Sequence, residues 1–549
     1  MTVGEAAERF HDFLDLWAER QPDVEFAVQG ARRITYREAQ AATCRLADAF
    51  VGAGLQRGDR IAILAKNCIE YPLIYLAASR AGVVPVPLNY RSAPPEWEHI
   101  VHDSGARLLL VAAPYLDAVD AISVELGNIH DYVALGTDTP PAGWSALGAW
   151  IDDEAGAEIR IGGRRKPRSA QPDIGQHTPA SDATDDDLFQ WYTSGTTGRP
   201  KGAVLSQRAV VAAVLALGQC AHRGAPGARS LVVGPMLHAG VVWNTLGPLS
   251  WGASLYIVEE FDAAEVVRLL SEERIDYASL VPTVLHTVLE RVSDVAERSY
   301  PALRLIHTGS APVSEQTLLG ARAAFGCDVV HGYGLSESTA VLSVMAPDEY
   351  APGPDGRPTR LRSAGRALPD TELGIVDDRG RRLPPGEVGE IVARGPQIMR
   401  EFWRNPEATA ETLRGGWLHT GDVGMLDEDG FLYIQDRLKD VIVTGGLKVY
   451  PQMVEQVLMA HAAVVEAAVV SVPDDRWGES VRAVVVPRAG TEITEAELIQ
   501  HCRDRLGGFQ CPRTVSFVET LPRTATGKVL KRTLREAYWS GQARQVGEA

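Results

Sequence analysis

The stretch that decides the fold and chemistry of this chain is WYTSGTTGRPKG, residues 191–202. From Ser194 to Gly202 it contains three hydroxyl residues, three glycines and one lysine, Lys201. Glycines let backbone N–H groups approach an anion closely, the hydroxyls add donors, and the lysine supplies a positive charge. The preceding residues 188–193, LFQWYT, predict a short strand that enters the loop. The pattern predicts a phosphate-binding loop without Walker A spacing, although composition alone also allows a flexible surface loop.

Upstream of this loop, residues 1–150 alternate helical and strand-like segments. Thr35 suits the N-cap of a helix predicted over residues 36–53, and another helix is predicted over 69–81. Short apolar runs at 60–64 and 83–88 predict strands. This alternation favours a layered α/β architecture with parallel strands.

Downstream, residues 303–339 predict a βαβ unit with a glycine turn after each strand. Strands predicted over 303–307 and 328–331 flank a helix predicted over 313–325. Ligands of open α/β sheets bind at the carboxyl ends of strands, so a nucleotide is expected at the two turns. Tyr333 is then available to stack on a base. Without the other motifs, both would be ordinary tight turns.

Three further features lie outside these units. A lone histidine, His238, is predicted at the end of an apolar strand, and Val241, Val242 and Trp243 after it suit either a pocket wall or a core strand. Residues 360–437 predict a smaller β-rich part. The last ~110 residues suffice for a small α+β domain.

These motifs resemble, in the same order along nearly the whole chain, those of the adenylate-forming (ANL) superfamily of acyl-CoA synthetases, peptide-synthetase adenylation domains and luciferases. Residues 436–446 and 473–479 look most like the acyl-CoA synthetase and fatty-acid–CoA ligase family. The resemblance implies an ATP/AMP site that is made by Thr193, Ser194, Gly195, Thr196, Thr197, Gly198, Lys201, Gly309, Ser310, Ala311, His331, Gly332, Tyr333, Gly334, Ser336, Asp422, Arg437 and Lys528.

The resemblance also implies individual roles. Glu337 is expected to hold Mg²⁺, and Ser336, where the family commonly has threonine, to contact a phosphate. Asp422 and Arg437 match the ribose-binding residues, and one carboxylate can accept hydrogen bonds from two vicinal hydroxyls. Lys528 lies in a loop flanked by proline and glycine and matches the catalytic lysine. The catalytic residues implied are therefore Lys528, Glu337 and His238.

The acid and thiol substrates have their own implied residues. The acyl-binding residues implied are His238, Val241, Val242 and Trp243. Lys439 matches the hinge of the family, and Gly445-Gly446 matches the turn that lines the tunnel for the coenzyme A thiol. Besides Ser336, two more positions depart from the family pattern: Met453 stands where glutamate is usual, and Gln510 where lysine is frequent.

The predicted fold class is α/β, with a large layered N-terminal domain that includes a β-rich subdomain, and a small mobile α+β C-terminal domain. The resemblance places the N-terminal AMP-binding (adenylation) domain at residues 1–437. The C-terminal domain at residues 438–549 carries the catalytic lysine.

The implied function is an AMP-forming acyl-CoA synthetase with ATP, Mg²⁺ and coenzyme A as cofactors. An apolar carboxylic acid, first of all a fatty acid, becomes an acyl-adenylate and then a thioester. The absence of charge near Val241 and Val242 favours an apolar acid. Two alternatives stay open: an acyl-AMP ligase that loads a separate carrier protein, and an aryl-CoA ligase. A non-catalytic scaffold is disfavoured because Lys528, Glu337, Asp422 and Arg437 are all present.

Composition limits the partners and the compartment. The chain has 549 residues, 45% of them apolar and 23% charged, and a net charge of −17. That charge disfavours nucleic acid or an anionic membrane as the main partner. Six scattered cysteines without a C-x-x-C pair suit a reducing cytoplasm, the N-terminus is unlike a signal peptide, and the apolar run 209–218 is too short for a transmembrane span. A homo-oligomer stays open.

Overall fold

The structure is a computed structural model. It describes residues 7–155, 160–161, 164–165, 185–193, 199–220, 224–311, 313–350, 353, 359–523 and 529–539. The chain forms two compact units. The first unit comprises Met1–Leu361, Gly365–Glu372 and Arg394–Leu418, and the second comprises Arg362–Ala364, Leu373–Ala393 and His419–Ala549. The boundary predicted after residue 437 separates the adenylation domain from a domain expected to move about a hinge, and it stays a prediction.

The largest sheet of the first unit has nine strands, of which the central six are parallel. Its strand order is Arg366–Ala367, Ser343–Met345, Asp328–Tyr333, Leu305–Gly309, Tyr277–Ser279, Arg229–Val232, Ser254–Ile257, Glu25–Gln29 and Arg32–Thr35. Parallel strands need both faces covered, which explains the apolar residues that fill them.

The first unit contains two further sheets of three or more strands. A parallel sheet has the order Val84–Pro87, Arg60–Leu64, Leu108–Ala112, Asp131–Leu135 and Ser145–Ala146. An antiparallel sheet has the order Asp187–Thr193, Lys201–Ser206 and Glu401–Phe402. Phe26, Ile63 and Phe189, one from each of the three sheets, are fully buried in one continuous core. The short strands Arg160–Ile161 and Arg164–Arg165 pair separately.

Helices cover these sheets. Those of the first unit are Phe10–Arg20, Tyr36–Gly52, Glu70–Ala81, Pro94–Ser104, Leu116–Asp120, Leu147–Ala155, Gln207–Cys220, Gly247–Ser250, Ala263–Glu272, Pro282–Arg291, Glu315–Phe325 and Pro406–Thr412. Thr35 caps its helix as predicted, because its side chain accepts the Glu38 N–H and Glu38 reaches back to the Thr35 N–H. Among the described residues, no helix is both long and apolar enough to cross a bilayer.

The second unit contains two sheets. One sheet has the order Glu372–Val376, Gly389–Arg394, Leu418–Leu426 and Leu432–Arg437, and its last two strands are antiparallel. Glu372, Arg394 and Leu418, each at a strand end, are assigned to the first unit. The other sheet has the order Leu447–Val449, Ile442–Thr444, Gly478–Pro487 and Val464–Asp474, with Thr514–Phe517 parallel to Gly478–Pro487. Its helices are Pro451–Met459, Glu495–Arg503 and Lys531–Trp539.

The predicted fold class is confirmed: a large α/β part with several sheets precedes a smaller C-terminal part. The predicted strand over 60–64 has those same limits, and the predicted helices of residues 1–150 end within one residue of their observed ends. All six cysteines are free, as their scattered positions indicated.

Candidate active site

The predicted phosphate loop connects two paired strands. Thr193 ends one strand and Lys201 begins the next, and the two residues are register partners. Ser194, Gly195, Thr196, Thr197 and Gly198 lie outside the described residues, so their role stays a prediction. The Lys201 ammonium lies 5.6 Å from the ring centroid of Phe402 on the third strand of this sheet. The hairpin therefore holds both ends of the predicted loop on a rigid sheet.

The two strands predicted to bind nucleotide, Leu305–Gly309 and Asp328–Tyr333, are parallel neighbours and are called here the nucleotide strands. Gly309 and Gly332 are register partners, as are Thr308 and His331. A Cβ on Gly309 would lie 2.7 Å from the Gly332 carbonyl oxygen, so only glycine fits there. Both glycine turns therefore begin side by side at carboxyl ends of a parallel sheet, where ligands of such sheets bind.

The residues after each nucleotide strand have unusual backbone conformations. Ser310 has a φ of 66°, and Thr339 and Ala340 have φ values of 52° and 63°. Left-handed φ values in non-glycine residues cost about 1–3 kcal/mol each and cluster at functional sites. Ala311 directly follows Ser310. Three of the seven non-glycine residues with positive φ in the described part of the chain therefore lie near the predicted nucleotide turns.

Tyr333 ends the second nucleotide strand, and Gly334, Ser336 and Glu337 follow it. Tyr333 is 9% exposed, so most of its ring is already packed against protein. Glu337 lies on a short 3₁₀ turn, Ser336–Ser338, and its carbonyl oxygen accepts a hydrogen bond of 2.8 Å from the Met399 N–H. This bond fixes the backbone from which the carboxylate of Glu337 projects.

The prediction that His238 ends a strand is wrong. The strand Arg229–Val232 ends six residues earlier, and His238 lies in a turn whose carbonyl accepts the Val241 N–H at 2.8 Å. Residues 241–250 are helical, so the alternative of a core strand for Val241, Val242 and Trp243 is wrong. Val241 and Val242 are fully buried, and their role as a pocket wall stays a prediction. Tertiary packing of this glycine-flanked segment overrides its apolar strand-like pattern.

Trp243 reaches the nucleotide strands. Its indole stacks on His307, with ring centroids 3.6 Å apart and an interplanar angle of 7°. His307 was not among the residues predicted from the sequence. Its signal was a histidine directly after the apolar residues Leu305 and Ile306 of a strand, two residues before Gly309 and therefore on the same face. Burial and the neighbouring His331 hold the pKa of His307 well below its usual value, so the imidazole is neutral.

In the second unit, the predicted ribose-binding residues meet. Asp422 and Arg437 are register partners on adjacent antiparallel strands, and Arg437 Nε lies 3.2 Å from Asp422 Oδ1. The Asp422 side chain is 7% exposed and that of Arg437 is 48% exposed. The arginine orients a nearly buried carboxylate, an arrangement that suits recognition of two vicinal hydroxyls.

The predicted hinge and thiol-tunnel residues follow within a few positions. Burial lowers the pKa of Lys439, against the opposing effect of the Asp440 charge. Gly445 and Gly446 have φ values of 57° and 81° and close a two-residue hairpin between Ile442–Thr444 and Leu447–Val449. Two positive φ values in succession are typical of a type I′ turn, which explains the glycine pair.

Lys528 lies outside the described residues, as do all of 524–528. The residues on either side of this loop are held together, because Arg523 and Val529 form a β-bridge and the Leu530 N–H donates to the Pro522 carbonyl at 2.8 Å. The helix that follows is anchored by ion pairs of Lys531 with Glu455, at 2.7 Å, and of Arg535 with Asp440, at 3.1 Å. The catalytic role of Lys528 stays a prediction.

Two family models match the chain. One, described as AMP-binding enzyme, matches residues 14–403, and the other, described as AMP-binding enzyme C-terminal domain, matches residues 453–528. The chain belongs to the AMP-binding enzyme family.

Several members of this family are similar over nearly the full chain. Fatty acid–[acyl-carrier-protein] ligase ScoC of Streptomyces coeruleorubidus is 35% identical over 535 residues, which cover 96% of each chain. Feruloyl-CoA synthase of an Amycolatopsis species is 34% identical over 534 residues, 95% of this chain and 97% of the other. The solved structure of a Mycobacterium tuberculosis fatty acyl CoA synthetase has a TM-score of 0.73 at 31% identity and covers 98% of this chain and 99% of the other.

This AMP-binding enzyme is therefore an ATP-dependent, adenylate-forming acid–thiol ligase, a class that works with Mg²⁺ and coenzyme A. Among the described residues, the one group of three ligand-type side chains close enough to share an ion is His11, Asp12 and Asp15 on the first helix. The role of Glu337 in holding Mg²⁺ stays a prediction; proteins commonly bind this ion through one or two carboxylates together with substrate phosphates.

Proposed function

We propose that this enzyme is an acyl-CoA ligase that activates an apolar carboxylic acid through an acyl-adenylate and transfers the acyl group to coenzyme A. Fatty acids are the first substrate class and aryl acids the second. The observation that carries the proposal is the pair Gly309 and Gly332, side by side at the ends of two parallel strands. Such a place accommodates a nucleotide because backbone groups can approach the ligand closely.

In the first half-reaction, a carboxylate oxygen attacks the α-phosphorus of ATP and pyrophosphate leaves. The loop from Ser194 to Lys201 binds the β- and γ-phosphates, and the Asp422–Arg437 pair binds the ribose. Mg²⁺ held by Glu337 would neutralise phosphate charge. Lys528 bridges the carboxylate and the α-phosphate as negative charge develops. Positioning and charge neutralisation supply most of the catalysis of such a step.

In the second half-reaction, the thiol of coenzyme A attacks the acyl carbon and AMP leaves. The C-terminal domain, residues 438–549, turns about Lys439, removes Lys528 and brings the Gly445–Gly446 turn to the thiol. A hinge of this kind needs one or two residues whose φ and ψ change. The similarity to an acyl-CoA ligase supports coenzyme A as the acceptor.

A second candidate acceptor is a separate acyl carrier protein. The name of ScoC states such an acceptor, and long-chain-fatty-acid–CoA ligase FadD13 of Mycobacterium tuberculosis has coenzyme A in its name. Each is 35% identical to this chain, so the two similarities favour the two acceptors equally. The aryl alternative rests on feruloyl-CoA synthase at 34% identity. A cytoplasmic location is part of the proposal, since six free cysteines suit a reducing compartment.

The test is mass spectrometry of reactions with Mg·ATP and a panel of fatty and aryl acids, each with no acceptor, with coenzyme A, or with a phosphopantetheinylated carrier protein. We expect acyl-CoA for at least one acid. If the carrier protein consumes the acyl-adenylate and coenzyme A does not, the acceptor is the carrier protein and not coenzyme A. If no acid yields an adenylate although calorimetry shows that ATP binds, the proposed acid class is wrong.

A further inference from the structure

The ring of Trp243 lies between the segment predicted to bind the acyl group and the nucleotide strands. Trp243 belongs to the segment predicted to bind the acyl group, and His307 belongs to the first nucleotide strand. The two rings are nearly parallel and in full contact, with centroids 3.6 Å apart. The indole Nε1 donates a hydrogen bond of 3.1 Å to the Ala340 carbonyl, which fixes the ring plane. The stack therefore bridges the acyl segment and the nucleotide strands.

The indole fills the space above the second nucleotide strand. A Cβ on Gly332 would lie 2.5 Å from Cζ2 and 2.8 Å from Cη2 of Trp243. The benzo ring thus occupies the space that the missing side chain of Gly332 leaves open. An acid that reacts at these strands must fit in what remains, and a long alkyl chain cannot pass through an aromatic ring.

His307 presents a polar atom to the same place. Its Nδ1 lies 3.0 Å from the Ser279 hydroxyl, whereas its Nε2 is buried and has no hydrogen-bond partner among the described residues. Nε2 lies 3.3 Å and 3.4 Å from the points where the Cβ atoms of Gly309 and Gly332 would stand. Buried polar atoms rarely lack a hydrogen-bond partner, so we expect a bound ligand to form a hydrogen bond with this nitrogen.

We propose that the stacked Trp243 and His307 form the end wall of the acid pocket, and that the substrate is a short or single-ring carboxylic acid with a hydrogen-bonding substituent that meets His307 Nε2. The inference rests on the proposed function, because it assumes that the acyl-adenylate forms at the nucleotide strands. It narrows the acid class from long-chain fatty acids to short acids and to the aryl acids that were named second. A flat ring suits the face and edge of the stack, and a hydroxyl or carbonyl suits a neutral imidazole, which can donate or accept.

The length limit is tested with the full enzyme, Trp243→Ala and Trp243→Leu. Pyrophosphate release and acyl-adenylate mass are measured for straight-chain acids from butyrate to palmitate. We expect palmitate to be a poor substrate of the wild type and to improve by about tenfold or more in both variants. The matched control is Trp251→Phe, since Trp251 is also half-buried but contacts Tyr277 instead. A wild type that prefers palmitate, or variants with an unchanged length profile, would overturn the length limit.

The polar contact is tested with His307→Phe, which keeps an aromatic ring under Trp243 and removes Nε2. Benzoate is compared with hydroxybenzoate, and cinnamate with hydroxycinnamate. We expect the wild type to prefer the hydroxylated member, and the variant to lose about tenfold of that preference while it still uses the plain acid. An equal loss for both members would contradict a polar contact.

The two substrate panels distinguish failure of the proposed function from failure of the proposed pocket wall. If no acid of either panel gives an adenylate, the proposed function fails and takes this inference with it. If adenylates form but neither Trp243 variant changes the length profile and His307→Phe does not change the hydroxyl preference, only the inference about the stack fails. Thermal unfolding of each variant separates loss of specificity from loss of folded protein.

Discussion

At the residue scale, Gly309 and Gly332 are glycines for different reasons. A Cβ on Gly309 would meet the backbone oxygen of Gly332, which belongs to a paired strand and cannot move aside. A Cβ on Gly332 would meet the indole of Trp243, which is a side chain and can turn away. The first glycine therefore protects strand pairing, whereas the second makes room for a ring.

This difference predicts the effect of Gly332→Ala. The added methyl group displaces the indole, so we expect kcat/KM for the best acid to fall about tenfold or more with a small change in the free energy of unfolding. Steady-state kinetics and urea unfolding measure the two quantities. Adding Gly332→Ala to Trp243→Ala should cost little more, because the clash is gone. Gly218→Ala, in a helix with open space around it, is the matched control.

The same scale explains two departures from the family pattern. Met453 and Gln510 are far apart in the sequence, but the Gln510 amide nitrogen lies 3.3 Å from the Met453 sulfur. Glutamate and lysine, the usual residues at these positions, would be a charged pair there. Methionine and glutamine are both neutral, so their contact leaves no unpaired charge.

At the element scale, the Gly445–Gly446 hairpin offers a matched pair of substitutions. Both residues have positive φ, but only at Gly445 would a Cβ meet another side chain, Trp477, at 2.6 Å. We expect Gly446→Ala to cost about 1 kcal/mol of stability from φ alone and Gly445→Ala to cost clearly more. Under the proposed function, Gly445→Ala should also slow thioester formation more than adenylation. Urea unfolding and separate assays of the half-reactions measure these effects, and equal costs would contradict a role for Trp477.

The helix Lys531–Trp539 offers a second matched pair. Lys531 pairs with Glu455 at 2.7 Å with both side chains under 20% exposed, whereas Arg532 pairs with Glu536 with both about 60% exposed. Burial lowers the pKa of Lys531, but Glu455, Asp436 and Asp440 together raise it above its usual value. We expect Lys531→Met to destabilise the second unit by about 3–5 kcal/mol, because it strands a buried carboxylate.

Arg532→Met should change stability by about 0.5 kcal/mol or less, since exposed helix pairs contribute little. Chemical denaturation followed by tryptophan fluorescence compares the two variants. Equal losses in both would show that the Lys531–Glu455 pair does not anchor this helix.

At the scale of the whole molecule, one buried carboxyl group makes stability depend on pH. Burial raises the pKa of Asp436 to about 6, although Lys531 and the Gln452 N–H act in the opposite direction. The unfolded chain titrates near 4, so the folded state binds the proton more tightly and its stability increases as pH falls from about 6 to about 4. The gain would be about 3 kcal/mol for a shift of this size.

Asp436→Asn should remove this pH dependence. The difference between the unfolding free energies of wild type and variant, measured in urea at a series of pH values, isolates the group from the rest of the titration. A difference that stays constant between pH values of about 4 and 6 would contradict a raised pKa.

The C-terminal domain is proposed to act differently in the two half-reactions, with Lys528 needed only for adenylation. Under the proposed function, Lys528→Ala should reduce adenylation by about a hundredfold or more, because it removes the cation that meets developing charge. It should largely spare thioester formation from supplied acyl-adenylate. Single-turnover assays of each half-reaction measure both rates, with Arg532→Met as a surface control. Equal losses in both halves would refute this difference.

Much of the fold could be predicted from local patterns. Strand and helix positions followed hydrophobic periodicity, the Thr35 cap and glycine turns, because these depend on residues close in sequence. The prediction at His238 was wrong because the conformation of that segment depends on residues that are distant in sequence. A short apolar segment suits a strand or a buried helix equally, and only tertiary packing decides between them.

The amino-acid sequence by itself determined the α/β class, the order of the site motifs and the family. Each of these depends on residue type and spacing along the chain. The tertiary structure alone decided that Trp243 stacks on His307, that Asp422 faces Arg437, and that Met453 meets Gln510. These contacts join residues between 15 and 64 positions apart, and strand register and core packing, which no local pattern encodes, bring them together.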